Sequence, residues 1–337
     1  MDKVERAVDD LRRKWVPDKR LGVFDIALLP QQLAGTTSSQ DARDALRRLA
    51  GEAGLSERVR LLPDESVVDA GAVVTAAVAP LLGEPQVSAP RVSEVLHGES
   101  LEILERRDDW LRARAPDGYI AWLHSGYVAT GPAEWAADWH ERATARALSA
   151  DIATAEGRRR LPTGARVALR RGVVELADGQ LGAVAGGNVR REQELRVEAR
   201  HLALPEIAQK WYGGAPYLWG GRTEWGIDCS GLTQAVYGAR GIKLPRDSDQ
   251  QFGEGREIEM SADGAEYEAG DLLFFTERGR VSHVALWAGA GRIVHSALSR
   301  GGVCGDHLFG DEPRMARMRD SLVGVRRIDE VRARYFE

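Results

Sequence analysis

Apolar residues recur at helical spacing over residues 2–15, where Val4, Val8 and Leu11 share one face, and again over 41–53 through Ala42, Ala45, Leu46 and Leu49. Between them Gly22-Val23-Phe24-Asp25-Ile26-Ala27-Leu28 reads as a strand, so residues 1–65 are expected to form a small α+β unit. Over 66–130 the pattern changes to short apolar runs broken by Gly, Pro and Asp, as in a small β-barrel, with its clearest strands at 101–104, 110–113 and 119–123. Residues 133–150 read as a helical connector, and 161–189 offer more short strands punctuated by Gly172, Gly179, Gly182 and Gly186. Connector and second barrel together are expected to fill 131–200. From 201 to 337 the pattern is α+β, with helices over 202–211 and 230–240 and strands over 271–275, 281–287 and 292–295. The chain is therefore expected to be a multidomain α+β protein.

A length of 337 residues suits two to four compact units. A formal net charge of −5 shows no basic excess, which argues against nucleic acid or an anionic membrane as the main partner. The start lacks the apolar stretch of a secretory signal and no window is apolar enough to span a bilayer, so a cytoplasmic protein is expected, with a secreted one lacking its signal as the alternative. Two cysteines, Cys229 and Cys304, are too few for a disulfide framework or a paired-cysteine zinc site. His97, His124, His140, His201 and His307 show no metal-ligand spacing, and Gly213-Gly214 and Gly220-Gly221 lack the residues of a phosphate loop. No metal and no cofactor are expected, and the oligomeric state is left open.

Candidate chemistry concentrates in the last third. Cys229, in Gly226-Ile227-Asp228-Cys229-Ser230-Gly231-Leu232, opens a helix, where unpaired N–H groups and the macrodipole favour a thiolate and can also bind an oxyanion. A thiol nucleophile needs a base and a third group to orient that base. His283 starts a strand pattern that puts His283, Ala285 and Trp287 on one face. His295 ends Arg292-Ile293-Val294-His295, reached through the tight turn Ala288-Gly289-Ala290-Gly291, so a hairpin sets the two imidazoles side by side. A lone cysteine is more often a small buried apolar residue, and a histidine among small residues is often part of a core. Here the flanking Asp228, Ser230 and Gly231, and the order Cys229, His283, His295, favour catalysis. Cys304, in Gly301-Gly302-Val303-Cys304-Gly305, is expected to be a loop bystander, and Trp219 a packing residue.

Two resemblances follow from these motifs. Gly98-Glu99-Ser100-Leu101 through Asp109-Trp110 to Asp117-Gly118-Tyr119-Ile120-Ala121-Trp122-Leu123 resembles a bacterial SH3-like domain, faintly echoed at 164–169 and 178–184. Asp228-Cys229-Ser230-Gly231-Leu232, Leu244-Pro245-Arg246-Asp247-Ser248-Asp249-Gln250-Gln251, Gly270-Asp271-Leu272-Leu273-Phe274-Phe275, Ser282-His283-Val284-Ala285 and His295-Ser296-Ala297 resemble the NlpC-type papain-like cysteine peptidases. The arrangement is similar to the subgroup that carries SH3-like domains ahead of the catalytic one. That resemblance implies a papain-like domain over 201–337, preceded by SH3-like barrels over 66–130 and 131–200.

It also implies hydrolysis of the γ-D-glutamyl bond to a diamino acid in peptidoglycan stem peptides, such as L-Ala-γ-D-Glu-L-Lys or its diaminopimelate counterpart, with a free N-terminal L-Ala. Carried onto matching positions, Cys229, His283 and His295 are the triad and Tyr217 lies beside the nucleophile as an oxyanion donor. Asp228, Ser230, Asp247 and Ser248 are expected substrate contacts, Asp247 having equally the character of a helix cap. Tyr119, by its Gly-Tyr-x-x-Trp setting, and Glu84, in Gly83-Glu84-Pro85, are expected to recognise the amino end. An ammonium held by Glu84 and Asp247 would gain about 1.5–3 kcal/mol per charge-assisted bond. Two rival readings stay open: a catalytically degenerate protein that binds wall peptide, and a thiol amidase or transacylase acting on another substrate.

Overall fold

The computed structural model describes residues 3–329; Asp2 of the first expected helix and residues 330–337 of the expected catalytic domain lie outside the described residues. Two compact units are present, residues 1–75, 81–90 and 99–140 in the first and 76–80, 91–98 and 141–337 in the second.

In the first unit, strands Phe24–Leu29 and Gln32–Thr37 form a hairpin, and helix Gln40–Glu52 carries the chain over to strand Ser56–Leu61, which runs parallel to the second strand. Such a crossover needs a helix of this length. Ser39 caps it, its hydroxyl accepting from the Ala42 N–H, and Leu46 packs on Phe24, Leu33 and Val59. An antiparallel sheet follows in the order Val128–Gly131, Gly71–Val74, Ser100–Arg107, Trp110–Arg114, Ile120–His124. Val23, Leu62, Leu104 and Ile120 form a small core in which the two sheets of this unit meet.

The second unit contains a five-stranded sheet. Strands Ala145–Thr154, Arg166–Arg170, Val173–Glu175 and Leu181–Arg191 close on one another around Ala147, Ile152, Val167 and Val174, and Gly157–Leu161 adds to the first of them as an edge. The expected connector helix is correspondingly short. It ends at Arg142, and residues 145–150 are strand. The alanines here read locally as helix formers, but each of Ala145, Ala147 and Ala150 is buried against a neighbouring strand, and that pairing overrides propensity.

The remainder is built on a six-stranded antiparallel sheet in the order Arg256–Ile258, Leu322–Arg327, Leu272–Glu277, Arg280–Gly289, Arg292–Ala297, Gly302–His307. Alternation along the strands buries both faces. Leu272, Phe274, Val284, Leu286 and Val294 pack on helices Leu204–Tyr212 and Cys229–Ala239, whereas Leu273, Phe275, Ala285, Trp287 and Ile293 pack on Tyr267 and Leu308. Tyr237, on the second helix, bonds the Gly270 carbonyl and ties the helix to the sheet. Two expectations fail here. Cys304 sits in a strand, directly opposite His295, because Gly302 accommodates close approach to Ala215 and lets the chain pair rather than loop. Trp219 is 65% exposed and takes no part in a core. Among the described residues no helix is long and apolar enough to cross a membrane.

Candidate active site

The turn before helix Cys229–Ala239 is fixed by a buried polar knot. Asp228 caps the helix through the Gly231 N–H at 2.6 Å, and its second oxygen accepts from the Gly220 N–H at 2.8 Å. Arg246, fully buried, donates to both Asp228 oxygens at 3.0 and 2.8 Å, to the Ser230 hydroxyl at 3.0 Å and to the Gly221 carbonyl at 3.3 Å. Its Nε reaches the Ser93 hydroxyl at 2.9 Å. Gly231 is required by close packing, since a Cβ there would lie 2.3 Å from the Gly221 carbonyl oxygen. Asp228 and Ser230 are thus engaged inside the protein, where they hold the first turn that presents Cys229.

Cys229 is 6% exposed. Its sulfur is reached by the backbone N–H groups of Ser230 and of Val284, the residue after His283. Burial pushes the thiol up to about 12, the Asp228 carboxylate adds to the rise, and the two N–H groups and Arg246 oppose it. The expectation of a dipole-stabilised thiolate is therefore reversed at rest: the helix N-terminus is already capped by a carboxylate, and the thiol is buried.

His283 and His295 meet across the hairpin, Nε2 to Nδ1 at 2.8 Å, with ring planes 69° apart. Phe275 flanks His283 at 5.8 Å between centroids. Burial, with His295 beside it, pushes the His283 imidazole down to about 3, so it is neutral at pH 7. The pair continues beyond the residues singled out from sequence. The buried His295 places Nε2 3.0 Å from Asp306 Oδ2, and Arg314 clamps both Asp306 oxygens at 2.6 and 2.8 Å. Arg314 and His295 hold that carboxyl well below the ordinary aspartate range despite burial. Asp306 carries no local signal in the sequence, because the glycines at 301, 302 and 305 read as loop. Asp306 pairs with Ile293, two places along from Cys304 opposite His295, and so shares a face with Cys304.

Tyr217 lies near enough for the charge of Cys229 to act on its phenol, which burial first, and then Cys229 and Asp228, push well above its usual range. It remains a hydroxyl, a donor. Ser248 is buried and opens a single helical turn, and the Asp247 N–H donates to Gln250 Oε1, half of a capping box. Glu84 and Tyr119 belong to the first unit, Glu84 exposed with its carboxylate accepting from Gln86, Tyr119 buried. A different acid comes to the nucleophile loop within the second unit. Buried Glu94 accepts from the Arg222 N–H at 2.6 Å and from Arg91 at 2.8 Å.

Among the described residues, His295, Cys304 and Asp306 bring donor atoms within 4.8 Å of one another. Asp306 is already engaged by His295 and Arg314, with Arg300 at 3.5 Å, and two guanidiniums repel a cation. The group is built as a hydrogen-bonded chain.

Residues 214–327 match the NlpC/P60 family, and residues 81–126 match the bacterial dipeptidyl-peptidase Sh3 domain. The chain carries an NlpC/P60 domain. A γ-D-glutamyl-L-lysine dipeptidyl-peptidase of Bacillus cereus is 40% identical over 90 residues, 26% of this chain and 26% of that protein. Its namesake in Bacillus subtilis is 34% identical over 113 residues, 32% and 37% of the two chains, so the alignments span well under half of these relatives. Dipeptidyl-peptidase 6 of Lysinibacillus sphaericus is 28% identical over 67% of this chain and 88% of its own. The crystal structure of an NlpC/P60 family protein from Bacillus cereus superposes with a TM-score of 0.60 at 19% identity, over 76% of this chain and 99% of that one. These likenesses establish the architecture: an α+β multidomain chain with an SH3-like domain ahead of a papain-like NlpC/P60 domain, whose sequence blocks include Cys229, His283 and His295.

Proposed function

We propose that the chain is a cysteine peptidase that hydrolyses the γ-D-glutamyl bond to the diamino acid of peptidoglycan stem peptides, acting in the cytoplasm on peptides released during wall turnover. The observation that carries the reading is the direct His283–His295 bond on the strand whose next amide, that of Val284, reaches the Cys229 sulfur. With thiol and imidazole both neutral at rest, the thiol proton passes to His283 Nδ1 as the sulfur attacks the γ-carbonyl. The protonated ring then gives that proton to the leaving amine. Water, deprotonated by His283, hydrolyses the thioester. Tyr217 and the Ser230 N–H are the donors suited to the oxyanion. Asp247, half-buried in the same unit, is suited to a substrate ammonium.

The names of the two Bacillus relatives support the γ-D-glutamyl specificity. The test is mass spectrometry of products from L-Ala-γ-D-Glu-L-Lys, its diaminopimelate counterpart and their N-acetylated forms. Release of L-Ala-D-Glu from the free peptides, at least tenfold faster than from the acetylated ones, is expected. Equal rates would remove the free-amine requirement, and no cleavage of any of them would remove the substrate class.

A further inference from the structure

The hydrogen-bonded chain does not end at His295, and its direction has a chemical consequence. A histidine acting as base toward Cys229 must present a bare nitrogen to the thiol. His283 spends Nε2 on His295, which leaves Nδ1 for that task. Nδ1 is bare only if the proton of the neutral ring is on Nε2, and it stays on Nε2 only if His295 Nδ1 is an acceptor. His295 Nδ1 is an acceptor only if the His295 proton is on Nε2, and a group that can only accept must then face that atom.

Asp306 is that group. We propose that Asp306, clamped by Arg314, is a positioning residue that fixes the tautomers of both histidines, so that His283 Nδ1 is left free to take the thiol proton. The assignment rests on the reading of Cys229 and His283 as nucleophile and base. Asp306 Oδ2 lies 3.0 Å from His295 Nε2 and both its oxygens are bonded by Arg314, so the carboxylate cannot turn away without giving up two charge-assisted bonds. Asp306 and His295 are 9% and 2% exposed, which limits the access of water as a competing partner. When His283 takes the proton and becomes cationic, the same chain faces it with acceptor, donor, acceptor in order, and no ring has to turn.

An amide at this position is neutral and can donate as well as accept, so His295 is no longer held to one tautomer. The test is a 15N–1H correlation spectrum of the imidazoles in the free full-length protein, with kinetics on the same samples. The unsubstituted protein is expected to show His283 and His295 both protonated at Nε2. Asp306→Asn is expected to add an Nδ1–H form of His295 and to lower kcat by roughly 10²–10⁴-fold with KM little changed, as a wrong tautomer does to a serine peptidase triad. His295 protonated at Nδ1 in the unsubstituted protein would overturn the proposal without any variant. So would Asp306→Asn with an unchanged spectrum and less than a tenfold loss of kcat. The spectrum needs no substrate, so an absence of peptidase activity refutes the functional reading while leaving the tautomers to be decided separately.

Discussion

Cys229 carries an unusual electrostatic setting for a cysteine at a helix start. The macrodipole is already neutralised by the Asp228 cap, and burial outweighs the two N–H groups at the sulfur, so the resting pair is a thiol and a neutral imidazole. Between about 3 and about 12 the pair holds a single proton to be shared. The acid limb of kcat/KM is therefore expected well below the ordinary histidine value of 6.5, and a limb at 6.5 in a full pH–rate profile would contradict this.

Stability responds to the same group. An unfolded histidine binds a proton below 6.5 whereas folded His283 does so only near 3, so stability is lost as pH falls through that window. Denaturant titrations of His283→Gln are expected to show a flatter pH dependence there. Trp219, 65% exposed two residues beyond Tyr217, should be dispensable to the fold: Trp219→Ala is expected to move the unfolding free energy by less than about 0.5 kcal/mol. These residue-scale features were unevenly legible. Cys229, His283 and His295 stand in local motifs, but burial of the thiol and the exposure of Trp219 depend on packing that no local pattern records.

At the scale of elements, helix Cys229–Ala239 is held by an ion pair from outside it. Arg246 is fully buried, and its partners span Asp228, Ser230, Gly221 and Ser93. Replacing it by methionine leaves the Asp228 carboxylate buried and unpaired, a change expected to cost about 3–5 kcal/mol in chemical denaturation. A loss below about 1 kcal/mol would mean that water enters and the knot is weaker than its geometry. The hairpin of His283 and His295 could be read from period-two alternation and the Gly-rich turn between them. The strand of Cys304 and Asp306 could not, because Gly301, Gly302 and Gly305 read as loop, and only pairing with the His295 strand makes it extended. Residues 145–150 failed for the converse reason, alanines with helical propensity being drawn into a closed sheet.

At the scale of the molecule, the division of the chain does not follow the sequence order of its sheets. Residues 91–98, flanked by the SH3-like pattern on either side, count with the NlpC/P60 unit, where Ser93 and Glu94 bond Arg246 and Arg222. A fragment of residues 201–337 is therefore expected to melt below the full chain. Sequence patterning could place an SH3-like domain and a papain-like domain in order, but not show that residues 91–98 group with residues 141–337. Ser93, Glu94 and His97 make that link through bonds to Arg246, Arg222, Arg166 and Ala177, all distant in sequence.

The central claim is covalent chemistry at Cys229, and intact-protein mass spectrometry of acid-quenched turnover addresses it most directly. With L-Ala-γ-D-Glu-L-Lys in excess, the account predicts an L-Ala-D-Glu acyl adduct, localised to Cys229 by peptide mapping and absent in Cys229→Ala, which should retain less than about a thousandth of the activity. An adduct on Cys304, or undiminished cleavage by Cys229→Ala, would contradict it.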